Sequence, residues 1–217
     1  MAKINIIGSG GWGTANAVLL AKGGHKVLLW SYLDSESAEL KKHRENKPFL
    51  PGVQIPEGVE FTSDISLCGK ADLILPNMTE VSYKLGIDYV DSGYDENYVK
   101  DLLKKLCGLG AKIAAITGIS FEPGQLGVMS YNSETGEYFK YFNKEANGKY
   151  HGTGDVFASC CTGALMNGLS TNEALSLAAD YTARCIQNTL DDNDGRWYGV
   201  NFESEIPYLV KRLEEMR

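Results

Sequence analysis

Ile4-Asn5-Ile6-Ile7-Gly8-Ser9-Gly10-Gly11-Trp12-Gly13 is the stretch on which the fold turns. Its apolar, β-branched start reads as a buried strand. Glycines follow where a tight turn is needed, and Gly11 to Lys22 then reads as a helix that is apolar nearly all round, expected to be buried and stopped at Gly23-Gly24. A strand that hands over to a helix through glycines is the opening move of an α/β protein.

Working outward, Val27 to Trp30 reads as a second strand and Ser35 to Glu45 as a polar-faced helix. Pro48 to Gly58 reads as a loop, broken by Pro48, Pro51 and Pro56. Ala71 to Leu75 is a third strand, closed by Pro76. Beyond it Thr79 to Leu85 and Glu96 to Leu106 read as helices, and Lys112 to Ile116 as a buried strand. Leu126 to Tyr131 and Glu137 to Phe142 alternate around Ser-Glu-Thr-Gly, a hairpin signal. Helices over Asp155 to Met166, Asn172 to Thr189 and Ile206 to Met216 complete the pattern. Strands alternating with helices predict an α/β class, doubly wound, with a mainly parallel sheet and helices on both faces. The expected division is a βαβαβ unit over 1–75 and a second part over 76–217, with one continuous sheet left open as the arrangement.

The composition narrows the function. Of 217 residues, 43% are apolar and 23% charged, enough for a packed core without metal or disulfide staples. A net charge of −7 argues against nucleic acid, which needs clustered cations. Lys41, Lys42, Arg44 and Lys47 do gather, and a solvated helix end accounts for them. The five cysteines show neither CxxC nor zinc spacing and read as small buried hydrophobes. No apolar run is long enough for a bilayer, and Met1-Ala2-Lys3 leads directly into a strand. The expected protein is soluble, reduced and cytoplasmic, with a homodimer left open.

Gly8, Gly10 and Gly13 satisfy GxGxxG around Trp12. The first glycine permits the turn, the second lets the backbone approach a pyrophosphate, and the third lets helix and strand pack. The phosphates would then meet N–H groups at the positive helix end. A ligand-free strand-to-helix turn explains the same spacing. Gly8 to Ala15, Gly24-His25-Lys26-Val27-Leu28-Leu29-Trp30, Arg44-Glu45-Asn46 and Phe49-Leu50-Pro51-Gly52 together resemble NAD(P)-dependent glycerol-3-phosphate dehydrogenase. Gly11 stands where that family has serine. Ser31-Tyr32 stands where an arginine, favouring a 2′-phosphate, normally follows the Trp. No acid ends the second strand directly, although Asp34 is close. That family's catalytic lysine and helical substrate domain have no counterpart after residue 75, so the resemblance implies NAD(P) affinity rather than dehydrogenation.

Asp72-Leu73-Ile74-Leu75-Pro76-Asn77-Met78-Thr79-Glu80, Thr117-Gly118, His151-Gly152-Thr153-Gly154-Asp155 and Gly199-Val200-Asn201-Phe202-Glu203 resemble pyridoxal kinases of the ribokinase superfamily, in that family's order, over roughly 71–213. The resemblance implies ATP-dependent phosphorylation of the hydroxymethyl group of a small molecule like pyridoxal, with Mg2+. Gly152, Thr153 and Gly154 would form an anion hole at a helix start, with Asp155 as the base; as a bare helix start, Asp155 would be an N-cap. Asn77 and Glu80 would hold Mg2+ through water; alternatively they cap a helix. Thr117 and Gly118 would meet nucleotide phosphate or ribose, or form a plain turn. Trp197 to Phe202, with Asn201 and Phe202, would line the adenine site, or be core. Asp191-Asp192-Asn193-Asp194 lacks EF-hand spacing and reads as a solvated acidic turn.

The two resemblances meet at Ala71 to Leu75, as in a chimera. The kinase half that would supply most of the vitamin pocket is replaced, which predicts impaired turnover. A dinucleotide-binding module and an inert scaffold are the other readings.

Overall fold

The computed structural model describes residues 3–146, 150–192 and 199–216, without the side chains of 68–70. The elements in order are β1 (Lys3–Ile7), α1 (Gly11–Lys22), β2 (Lys26–Trp30), α2 (Asp34–His43), β3 (Glu45–Asn46), β4 (Leu50–Gln54), β5 (Val59–Thr62), a 3-10 helix (Ile65–Lys70), β6 (Leu73–Ile74), α3 (Met78–Leu85), α4 (Glu96–Gly108), β7 (Ile113–Ile119), β8 (Gln125–Asn132), β9 (Tyr138–Lys144), α5 (Thr153–Met166), α6 (Thr171–Asp191) and α7 (Ile206–Glu215). The α/β class is the expected one. The chain forms two compact units, one comprising the chain up to Ile74 with Lys104–Ala114, the other Leu75–Leu103 and Ala115 onward.

In the first unit β1, β2 and β5 form a parallel sheet, with Ile4 opposite Val27 and Val27 opposite Val59. Its core is Ala17, Val18, Val27, Leu29, Leu40, Ile55 and Val59. β5 was not expected, and neither was the antiparallel pair β3–β4 inside the segment read as a proline-broken loop. Pro51 is tolerated in β4 because a two-stranded ribbon leaves an edge where the missing N–H costs no ladder bond. α1 is not buried all round: Thr14, Ala17 and Val18 face inward while Leu19 is 66% exposed. Within the same unit β6 pairs in parallel with the first residues of β7, Leu73 opposite Ile113 and Ile74 opposite Ala114.

Arg44 corrects the expectation of a solvated basic helix end. It takes a left-handed conformation (φ 52°) just past α2. Its guanidinium donates to the carbonyls of Ile55 at 3.3 Å, Val59 at 2.9 Å and Pro56, and lies 5.0 Å over the Phe61 ring. It clamps the turn into β5. Nearby, the buried Asn46 amide donates to Ser9 O and Thr14 Oγ1, both at 2.7 Å. This ties β3 to the glycine turn. Asn46→Ala leaves two buried acceptors short of a donor and is expected to cost about 2 kcal/mol, read as a lower urea midpoint at unchanged slope.

In the second unit β8 and β9 form the expected hairpin, Leu126 opposite Asn143 through Tyr131 opposite Tyr138. α5 packs on α6, and α6 on β9. Ser170 and Glu173 close a capping box that starts α6. Cys160, Cys161 and Cys185 are buried, and burial pushes their thiols up to about 12, 12 and 11. That is the inert hydrophobe expected of them; Cys68 lies outside the described side chains. Among the described residues no helix is long and apolar enough to cross a membrane.

Candidate active site

The candidate kinase residues belong to the second unit, and the local folding explains their positions. Thr117 N–H donates to Pro76 O at 3.0 Å, and Asn77 and Thr117 form a parallel bridge. The ends of these two strand segments therefore lie side by side. Beyond one, α3 begins; in the other, Gly118 lies inside β7, which runs on to Ile119 where a strand end at Ile116 was expected, and has φ 69°, a conformation suited to glycine.

Asn77 and Glu80 form a complete capping box: Glu80 N–H donates to Asn77 Oδ1 at 3.0 Å, and Asn77 N–H to Glu80 Oε2 at 2.9 Å. The capping alternative is thus what these side chains do in the protein alone. Each still has a free face, because the box uses only one oxygen of the Glu80 carboxylate.

Gly152, with φ 81°, is the N-cap of α5, so the helix starts two residues before the expected Asp155. Asp155 is not an N-cap; it stands in the first turn, and no side chain caps the helix. The N–H groups of Thr153, Gly154 and Asp155 have no partner within the helix, since its first bond runs from Val156 N–H to Gly152 O. Helix-end N–H groups with a carboxylate beside them can cradle an anion and accept a proton.

Asp155 and Glu80 keep solvent contact, yet burial raises the pKa of both. Burial is the main cause at Glu80; the Asn77 N–H opposes it, and the charge of Asp155 adds to it. Asp155 shows burial alone.

Asn201 and Phe202 are placed differently. Asn201 is buried; its N–H donates to Thr189 Oγ1 at 2.8 Å and its amide to Asp192 Oδ2 at 2.6 Å. Phe202 O accepts from Tyr181 OH at 2.7 Å. Both tie the end of α6 to the following chain. Asp192, read as part of a solvated acidic turn, is therefore partnered; Asn193, Asp194 and Trp197 lie outside the described residues.

Sequence reasoning missed an open cavity of about 650 Å3 between the end of β9, α6 and Tyr208, lined by Lys144, Ala146, Asp180, Arg184 and Gln187 among others. Tyr141 OH donates to Asp180 at 2.8 Å, and Arg184 bonds Glu205 at 2.6 Å while lying 4.2 Å over the Tyr208 ring.

The glycine turn of the first unit is built as its spacing requires. A Cβ on Gly13 would lie 2.0 Å from Gly8 O, so the third glycine is obligatory for packing. A Cβ on Gly10 would meet nothing within 4 Å, leaving backbone there open to approach. At Gly11 the Phe49 carbonyl would be 3.0 Å from a Cβ, so glycine fits where serine would crowd.

Residues 56–199 match the phosphomethylpyrimidine kinase family. The chain belongs to that family. Residues 3–90 match the N-terminus of NAD-dependent glycerol-3-phosphate dehydrogenase, and the two matches overlap over 56–90, where the junction was expected. Glycerol-3-phosphate dehydrogenase [NAD(P)+] of Fusobacterium nucleatum is 48% identical over 65 residues, 30% of this chain and 19% of that protein. The chain thus spans about a fifth of the length of the curated relatives it matches. Among solved structures, a Bacteroides thetaiotaomicron protein assigned as a phosphomethylpyrimidine kinase superposes with a TM-score of 0.67 at 21% identity, covering 96% of this chain and 94% of that one. Pyridoxal kinase from Lactobacillus plantarum gives 0.65 at 20% identity, covering 99% and 73%. The kinase-family fold and a dehydrogenase-like N-terminal module are both present in this one chain.

Proposed function

We propose that the second unit binds a nucleoside triphosphate with Mg2+ and transfers a phosphoryl group to the hydroxymethyl group of a pyridoxal-like small molecule. The observation that carries the reading is the start of α5, where the N–H groups of Thr153, Gly154 and Asp155 lack a side-chain cap and the Asp155 carboxylate lies close enough to Glu80 for its charge to act there. Phosphoryl transfer asks a protein mainly to position reactants and neutralise developing charge. The N–H groups of Thr153, Gly154 and Asp155 would hold the transferring phosphate. Asp155 would accept the alcohol proton as the new O–P bond forms and the bond from the γ-phosphorus to the departing nucleoside diphosphate breaks. Thr117 and Gly118 would meet the phosphates or ribose from the neighbouring strand end.

The donor set fits Mg2+ in hydrated form. Among the described residues no three His, Cys, Asp or Glu side chains converge to cage a metal. Glu80, with one carboxylate oxygen outside the capping box, and Asn77 would instead meet the waters of a cation that phosphates also ligate, which suits an ion that keeps much of its hydration shell. The ion would neutralise charge on the phosphates.

Mg-ATP at about 100 times its Kd is expected to stabilise the protein by about 2.7 kcal/mol, a rise of roughly 5–11 °C in Tm for a chain of this size. EDTA removes most of the rise, and ADP formation from ATP is accelerated by pyridoxal. Absence of both the shift and ADP release sinks the proposal.

A second reading concerns the first unit, favoured by the open backbone at Gly10 beside the close Gly13–Gly8 contact. That cradle suits a dinucleotide pyrophosphate at the start of α1, where Gly10 is an N-cap without a side-chain bond.

A further inference from the structure

We infer that the dinucleotide site of the first unit selects against a 2′-phosphate, so that NAD(H) binds in preference to NADP(H), and that Tyr32 is the residue that sets this preference. The inference rests on the second reading above. In a unit of this kind the adenosine ribose meets the chain just past the end of β2, where an acid suits a free 2′-hydroxyl and an arginine a 2′-phosphate.

The structure resolves which of the two residues after Trp30 would meet that ribose. Ser31 turns inward: it is 0% exposed, its N–H donates to Thr62 O at 2.9 Å, and its buried hydroxyl has no partner among the described residues. Tyr32 turns outward, 65% exposed. Its ring meets the Trp30 ring edge-on at 6.2 Å, and Trp30 is fixed by a 2.9 Å bond from Nε1 to Ser63 O. A neutral aromatic with a defined pose thus occupies the position from which an arginine would reach a phosphate.

The sequence that follows Trp30 offers no cation for that task. Residues 31–39 contain no Lys, Arg or His, and the first turn of α2 carries Asp34 and Glu36. Arg44, in sequence the nearest arginine, is spent on the carbonyls of Ile55, Pro56 and Val59. Lys41 and Lys42 sit in the last turn of α2, at its far end. A 2′-phosphate would meet the like charges of Asp34 and Glu36, whereas a 2′-hydroxyl would not meet that penalty.

Calorimetric titration of the full chain with NADH and with NADPH tests this. NADH is expected to bind at least about tenfold more tightly than NADPH. Tyr32→Arg is expected to narrow that ratio by about tenfold, chiefly through tighter NADPH binding, and Glu36→Lys to act in the same direction from an independent position. Equal affinities, tighter NADPH binding, or a ratio unmoved by both variants overturns the inference while the dinucleotide reading stands. Saturable binding of neither cofactor overturns both.

Discussion

Asp155→Asn is expected to lower pyridoxal-dependent ADP formation by about 10²–10⁴-fold, the span of a positioned general base, while the Mg-ATP thermal shift persists. The amide keeps the shape of the side chain and leaves the N–H groups of α5 in place, so anion binding should survive. Loss of the thermal shift together with turnover would instead make Asp155 a structural or ligand-holding group. The pH dependence sharpens the test. Burial raises the Asp155 carboxyl, so the rate should rise with pH through a midpoint above the ordinary aspartate value. Stability runs the opposite way. A carboxyl whose folded pKa is raised contributes stability below its unfolded pKa, and this is lost as pH rises through the folded value. Asp155→Asn should therefore melt no lower than the parent at neutral pH, and any gain should close as the pH falls below the carboxylate range. A variant that melts lower at neutral pH would contradict the raised pKa.

Gly127→Ala is expected to cost about 3 kcal/mol, at the upper end of overpacking effects. Gly127 faces Phe142 in the β8–β9 register. A Cβ there would lie 2.1 Å from Tyr141 O, 2.7 Å from Phe142 Cδ1 and 2.9 Å from Phe142 Cα. Two of these atoms are backbone, and the Phe142 ring is itself packed at 5.4 Å against Phe121, so no flexible tip can give way. The hairpin must shift, and β9 is the strand that leads to the cavity and on to Gly152. Denaturant unfolding should show the loss, and the Mg-ATP shift should shrink with it. An unchanged midpoint would mean that the hairpin absorbs a methyl group at no cost.

Much of this was legible in the residues, for physical reasons. β1, α1, β2 and the hairpin announce themselves because their periodicity and turn residues agree. β5 escaped because Val59-Glu60-Phe61-Thr62 is short and follows three prolines that made the whole segment read as irregular. Its pairing with β2 is a long-range fact, secured by Arg44 holding the turn before it. In the site, Asn77, Glu80 and the Gly152–Asp155 turn were visible because each is a local constellation at an element boundary. The cavity at Lys144, Asp180, Arg184 and Tyr208 was not. Its residues come from three elements distant in sequence, with no motif among them. Arg44 was misread for a related reason: charge clustering marks solvent only when no unpaired carbonyls are near.

The two-residue strand β6 has a consequence for recombining proteins. Leu73 and Ile74 join β7 through peptide groups, which every residue but proline supplies in full, and of the two only Ile74 also fills core. A crossover placed on such a strand inherits its registration from the backbone alone. Exchange between different α/β genes should survive most often at short parallel strands of this kind, and a library of crossovers scanned through 56–90 should show its folded members concentrated at 71–75.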